Sequence, residues 1–105
     1  MKVVEYVAPL GSDGRRRVRH VRVQGRIVEF MVQYEIKFGG EWHPVVRYDT
    51  AHGFAHQDIL HWRRPAEKRD LPGRDYNLTL SFAEDDLRRN WNAYRERFMR
   101  EVMQA

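Results

Sequence analysis

The strongest periodicity in the chain runs from Ile27 to Phe38. There Val28, Phe30, Val32, Tyr34, Ile36 and Phe38 alternate with Glu29, Gln33, Glu35 and Lys37 and with Met31. Period-two alternation is the mark of a strand with one buried and one polar face. Gly39-Gly40 ends it, and a second strand is predicted from Trp42 to Thr50, with Trp42, Val46 and Tyr48 in one phase and His43, Arg47 and Asp49 in the other. A two-residue loop would turn His43, Arg47 and Asp49 onto the apolar face, which is costly for groups buried unpaired. A three-residue loop, Gly39-Gly40-Glu41, pairs Phe38 with Trp42, Ile36 with Pro44, Tyr34 with Val46 and Val32 with Tyr48. In that register Lys37 faces His43, Gln33 faces Arg47, Met31 faces Asp49, and Glu35 lies diagonal to His43 and Arg47. The polar face is thus the candidate site surface.

The remaining elements follow from the same patterning. A short strand is predicted at Val3 to Val7, closed by Pro9 and the turn residues GSDG. In RRVRHVRV, Val18 and His20 share one phase while Val21 and Val23 take the other, which predicts a bulge or bend. Phe54 to Trp62 forms a further strand with Phe54, His56, Asp58, Leu60 and Trp62 in phase, and RRPAEKRDLPGRDY, with two prolines and a glycine among charges, is expected to be an exposed loop. Leu80, Ala83, Leu87, Trp91, Tyr94, Phe98 and Val102 recur at helical spacing. The helix is predicted from Asn77 to Met103, roughly 40 Å long, leaving its end to project or to pack on a second copy. The fold class is therefore α+β: an antiparallel sheet of four to five strands followed by one long C-terminal helix packed across one face.

Composition narrows the class. With 105 residues, 42% of them hydrophobic and 32% charged, the chain is expected to be one domain, residues 1–105, with an ordinary core. Without cysteine, packing alone must hold it, and thiolate metal sites are excluded. No apolar run is long enough to span a bilayer and the first residues lack a signal-peptide pattern, so no membrane partner and a cytoplasmic location are expected. The net charge is +4, and Arg15, Arg16, Arg17, Arg19, Arg22 and Arg26 crowd one segment unopposed by acids. Such a segment suits phosphate, which a guanidinium contacts in bidentate fashion.

The stretch RYDTAHGFAHQDILH, Arg47 to His61, holds three of the five histidines. His52 and His56 have H-x-x-x-H spacing, but Gly53 interrupts a helix there and no H-E-x-x-H glutamate follows. His56 and Asp58 at i,i+2 on a strand could both ligate a metal, with His61 or Asp49 completing the set. Acid-base chemistry uses the same residues differently. Metal-free RNA cleavage needs a base, an acid and a cation for the phosphorane, and two histidines with an arginine supply them. In the plain structural alternative Arg47 pairs with Asp49 or Glu35, Asp49 caps the Thr50-Ala51 turn, and the histidines are solvated. Three histidines in ten residues at a strand end favour a site.

VVRYDTAHGFAHQDILH, followed by a polar loop and a long terminal helix, resembles the arginine-tyrosine-aspartate plus histidine pattern of TumE-like proteins, small toxin components of toxin-antitoxin modules. It is also similar to small prokaryotic domains with the same RYD, histidine and GRDYN segments. The likeness covers roughly Tyr34 to Phe98, and its strands-first order differs from RelE-like ribonucleases. It implies a toxin-like protein acting on RNA or translation, with Arg47, Asp49, His52, His56 and His61 as the carried-over positions. The expectation is thus a cytoplasmic RNA-binding, RNA-cleaving protein. His52 and His56 would move protons, Asp49 would orient Arg47 or a histidine, and Arg47 with Arg15, Arg17, Arg19, Arg22 and Arg74 would hold phosphate. No metal and no cofactor are expected; RNA, a cognate antitoxin protein and a second copy are the expected partners. The alternative is a non-enzymatic protein-interaction or dimerisation domain.

Overall fold

Alternating strands joined by tight turns build most of the molecule. In the computed structural model, which describes residues 1–73 and 75–105, β1 (Lys2–Pro9), β2 (Gly14–Val23), β3 (Arg26–Phe38), β4 (Glu41–Asp49), β5 (His56–His61) and β6 (Arg64–Asp70) precede α1 (Tyr76–Met103). The strands form one antiparallel sheet in chain order, and the helix packs on one face. The α+β class and terminal helix match expectation, but the sheet has six strands, not four to five. The added strand, β6, lies in the segment expected to be a loop. All its residues are exposed, so it shows no apolar alternation, and hydrogen bonding to β5 alone makes it a strand. Charges and Pro65 suit an edge strand, because they discourage further pairing.

Two of the hairpins turn on two residues that both lie in the left-handed region. Gln24 and Gly25 have φ of 50° and 78°, and Gly39 and Gly40 have 60° and 79°. Left-handed conformations at both central positions are what a type I′ turn requires. The β3–β4 connection is therefore a two-residue loop and not the expected three-residue one. Pairing begins Phe38↔Glu41, Lys37↔Trp42, Ile36↔His43 and Glu35↔Pro44, then steps over Val45 to Tyr34↔Val46, Gln33↔Arg47, Val32↔Tyr48 and Met31↔Asp49. A single bulged residue reverses the phase, so it removes the penalty that made a two-residue loop unfavourable. Beyond the bulge the expected register is correct and Arg47 and Asp49 reach the polar face. Before it, Trp42 and His43 exchange faces. His43 stacks on Phe38 at 3.9 Å between ring centroids, and Arg15 covers Trp42 at 4.0 Å on the other side.

The phase change expected near Val21 is also present, but its extra residue is on β3. Val21 pairs with Glu29 and Arg22 with Ile27, leaving Val28 bulged. Ile27, 6% exposed, takes the buried position assigned by alternation to Val28, which is 48% exposed.

Helix α1 lies over β3, β4 and β5 and closes the core with Leu80, Ala83, Leu87 and Phe98 against Phe30, Val32, Tyr34, Ile36, Val46 and Tyr48. It is fastened along its length. Asp75 caps its first turn by accepting from the Asn77 and Leu78 amides, and Asn77 Oδ1 accepts from the Ile27 amide at 3.0 Å. Arg95 makes a bidentate pair with Asp13, and Arg97 donates to the carbonyls of Leu60 and of the bulged Val45. At the far end Glu101 accepts from the Trp62 amide and Val102 packs on the core. The last turns are thus docked on the sheet and do not project. The β1–β2 connection is equally constrained. A Cβ on Gly14 would lie 2.4 Å from the Leu10 carbonyl and 2.8 Å from the Tyr34 ring, so only glycine fits.

Candidate functional site

The sheet face without the helix carries a continuous band of polar side chains. Arg15 Nε lies 2.6 Å from Glu35 Oε1, Arg17 lies 3.4 Å from Glu35 Oε2, and Gln33 donates to the same carboxylate. Arg47 Nε donates to Gln33 Oε1 at 2.6 Å, and its guanidinium stands 3.8 Å from Asp58 Oδ2. His56 Nε2 lies 2.8 Å from Asp49 Oδ1 and 3.7 Å from Asp58 Oδ1. Gln33, Glu35, His56 and Asp58 are all buried within this band. Burial pushes the Glu35 carboxyl up, but the bonds from Arg15 and Gln33 and the charges of Arg15 and Arg17 outweigh it and hold the acid below its usual range.

The β4–β5 connection assembles the histidine end. Asp49 Oδ1 accepts from the Ala51 amide at 3.1 Å, and a single 3₁₀ turn at Ala51–Gly53 follows, in which His52 and Gly53 take φ of 69° and 83°. The chain then returns so that Asp49 stands opposite His56 and Arg47 opposite Asp58. His56 Nδ1 faces the Phe54 carbonyl at 3.4 Å, which leaves Nε2 toward the two acids. Asp58 Oδ1 is buried with no hydrogen-bond partner. Asp49, at the rim, borders a shallow depression of about 270 Å³ lined also by Arg19, Glu29 and Met31.

Of the residues expected to act together, the structure gathers Arg47, Asp49 and His56. His52 is exposed on the turn and outside the band. His61 is on the helix side, between Glu101 at 2.7 Å and Glu67 at 2.9 Å. Arg15, Arg17 and Arg19 are on the open face, each beside an acid; Arg19 bonds Glu29 at 2.8 Å and stands 3.6 Å from Glu5. Arg22 is exposed past the end of this row, and Arg74 lies outside the described residues. Gln33 and Glu35 join the site without having been counted among its expected residues, and Asp58, expected only as an alternative metal ligand, joins it beside Arg47. Asp58 is signalled by its i,i+2 spacing from His56, and Gln33 by the predicted pairing with Arg47.

The other face has a polar node of a different kind. Tyr48 and Tyr94 hydroxyls both donate to Asp86 Oδ2 at 2.6 Å, Asn90 donates to Asp86 Oδ1, and Gln57 donates to the Tyr94 oxygen. Burial first, and then the Asp86 carboxylate, push the Tyr48 hydroxyl far above its ordinary range, so it remains a donor. This node ties strands to helix.

Residues 1–104 match the family model of a domain of unknown function, DUF7718, and the chain belongs to that family. No curated protein and no solved structure matches it.

Proposed function

We propose, from the site alone because that family has no assigned activity, that the protein is toxin-like and binds RNA on the helix-free face of its sheet, with cleavage at the histidine end. One observation carries the proposal: Arg47, Asp58, His56 and Asp49 form a coupled set, with His56 and Asp58 buried, on a face that the core does not need. Buried ionisable groups cost stability, and away from the core such a cost points to use. Arg47 is suited to hold a phosphate oxygen, and His56 to exchange a proton with Asp49 as its orienting partner. Arg15 over Trp42 adds a cationic and aromatic platform of the kind on which unpaired bases stack. His52 and His61 have no part in this version, since neither joins the band.

Induced expression and RNA binding test it. Growth should slow and RNA should bind with an affinity that falls as salt rises. Arg47→Ala and His56→Ala should each reduce binding or cleavage about tenfold or more, and His52→Ala should not. Harmless expression together with unbound, intact RNA would refute the proposal.

A second reading, an interaction domain without chemistry, is favoured by one feature. Leu78 and Phe82, one helical turn apart, are 70% and 52% exposed and border an apolar groove with Leu71 and Pro72. Association lost in Phe82→Glu, with RNA untouched by the parent protein, would select that reading.

A further inference from the structure

We infer that Asp49, His56 and Asp58 form a binding site for one divalent transition-metal ion of the Mn²⁺, Fe²⁺ or Zn²⁺ class, open to solvent past Asp49. The inference goes beyond the RNA proposal, since an ion can occupy these groups whether or not the sheet binds a polyanion. Each residue offers one ligand atom, and the three atoms lie within 4.8 Å of one another. In a metal shell with bonds of about 2.1 Å, neighbouring ligand atoms are about 3 Å apart. The separations from His56 Nε2, 2.8 Å to Asp49 and 3.7 Å to Asp58, bracket that value.

Two further observations point to a cation in preference to a proton. Asp58 is 5% exposed, yet its Oδ1, directed at His56 Nε2, has no donor. A proton on Nε2 serves one acceptor well, and Asp49 at 2.8 Å takes it, so Asp58 stays unsatisfied. A cation between the three would satisfy all of them. The ring is also placed for the outer bond typical of a ligand imidazole: Nδ1 stands 3.4 Å from the Phe54 carbonyl, so an ion at Nε2 would leave Nδ1–H to donate there. Arg47 approaches only the other oxygen of Asp58, at 3.8 Å.

The donor set defines the ion. One imidazole and two carboxylates suit borderline divalent ions of the first row, whereas Ca²⁺ prefers about six to eight oxygens and Cu⁺ prefers sulfur. Three protein ligands leave coordination positions for water or substrate, as in reactive sites and unlike closed structural ones.

The test uses the purified full chain, freed of metal by chelation, with MnCl₂ and separately ZnCl₂ as probes and no RNA in any arm. Calorimetry should give one equivalent, and the thermal midpoint should rise with metal concentration. Asp49→Asn and Asp58→Asn should each weaken binding at least about tenfold, while His52→Ala should leave it unchanged. Asp58→Asn also controls for folding, since removing a buried acid whose inner oxygen has no donor should leave the metal-free midpoint equal or higher. Nitrogen hyperfine coupling on bound Mn²⁺ should be present in the parent and lost in His56→Gln. Absence of binding by either ion at about 1 mM, weak even for extracellular sites, would overturn the inference. So would one-equivalent binding indifferent to both aspartate variants. Because RNA is absent throughout, these outcomes are independent of the RNA assay.

Discussion

His56 and His61 stand five positions apart on β5, each between two carboxylates, and they are opposite cases. His61 has one acid at each nitrogen, Glu101 at Nδ1 and Glu67 at Nε2, so a doubly protonated ring satisfies both. His56 has both acids at Nε2 and a backbone carbonyl at Nδ1, so no protonation state satisfies all three acceptors. The first arrangement is complete in itself and fastens β5 and β6 to the last turns of α1. The second has capacity left over. A count of histidines and acids would treat the two clusters alike; the distribution of acceptors over the two ring nitrogens separates them.

The contrast predicts different responses to removing an acid. Glu101 collects the Trp62 amide, His61, Arg64 and Arg97, so Glu101→Ala strands several donors at once. It should cost about 3 kcal/mol in a urea titration. A loss below about 1 kcal/mol would mean that the His61 cluster is an ordinary surface pairing and would dissolve the comparison.

Acid should remove much of the same contribution. Burial pushes the Glu101 carboxyl up, but the Trp62 amide, His61 and Arg97 pull it further down, from 4.5 to about 2. A depressed folded-state value means that the stabilisation is complete above the unfolded value and is lost as pH falls through the folded one. The stability gap between the parent and Glu101→Gln should therefore be constant above about pH 5 and close between about 4.5 and 2. Denaturant titrations across that range measure it, and a gap independent of pH would assign the effect to packing.

At the His56 cluster the response should be smaller and can have the opposite sign. Asp58→Asn, measured without metal, should change stability by less than about 1 kcal/mol or raise it, because it removes a buried acid whose inner oxygen has no donor. A loss as large as that of Glu101→Ala would show that Arg47 already satisfies Asp58. The smallest effect belongs to His52→Ala, within about 0.5 kcal/mol by the same titration, since the side chain is exposed.

Part of this contrast is legible in the chain itself. Positions 56 and 61 differ by an odd number, so strand alternation alone puts the two histidines on opposite faces, and treating His61 as a partner of His56 conflicts with the predicted phases. Likewise His56 and Asp58, two apart, must share a face. Less legible is β6, which has no apolar face to announce it and exists because β5 presents an unpaired edge. The partners of His61 are beyond reach by such means, since Glu101 lies forty positions away on the helix.

What the sequence by itself determined is local: the alternation within β3, β4 and β5 away from the bulges, the helical stripe from Leu80 to Val102, the turn at Gly39-Gly40 though not its length, and the polar character of one face. These depend on periods of two and 3.6 residues that each segment carries within itself. Only the tertiary structure decided the bulges at Val45 and Val28, which exchanged Trp42 with His43 and Ile27 with Val28 between faces. It also decided that a 3₁₀ turn sets Asp49 against His56 while leaving His52 outside. Such choices are made between strands, where one skipped residue reverses every side chain beyond it, and each strand's own alternation fits either outcome.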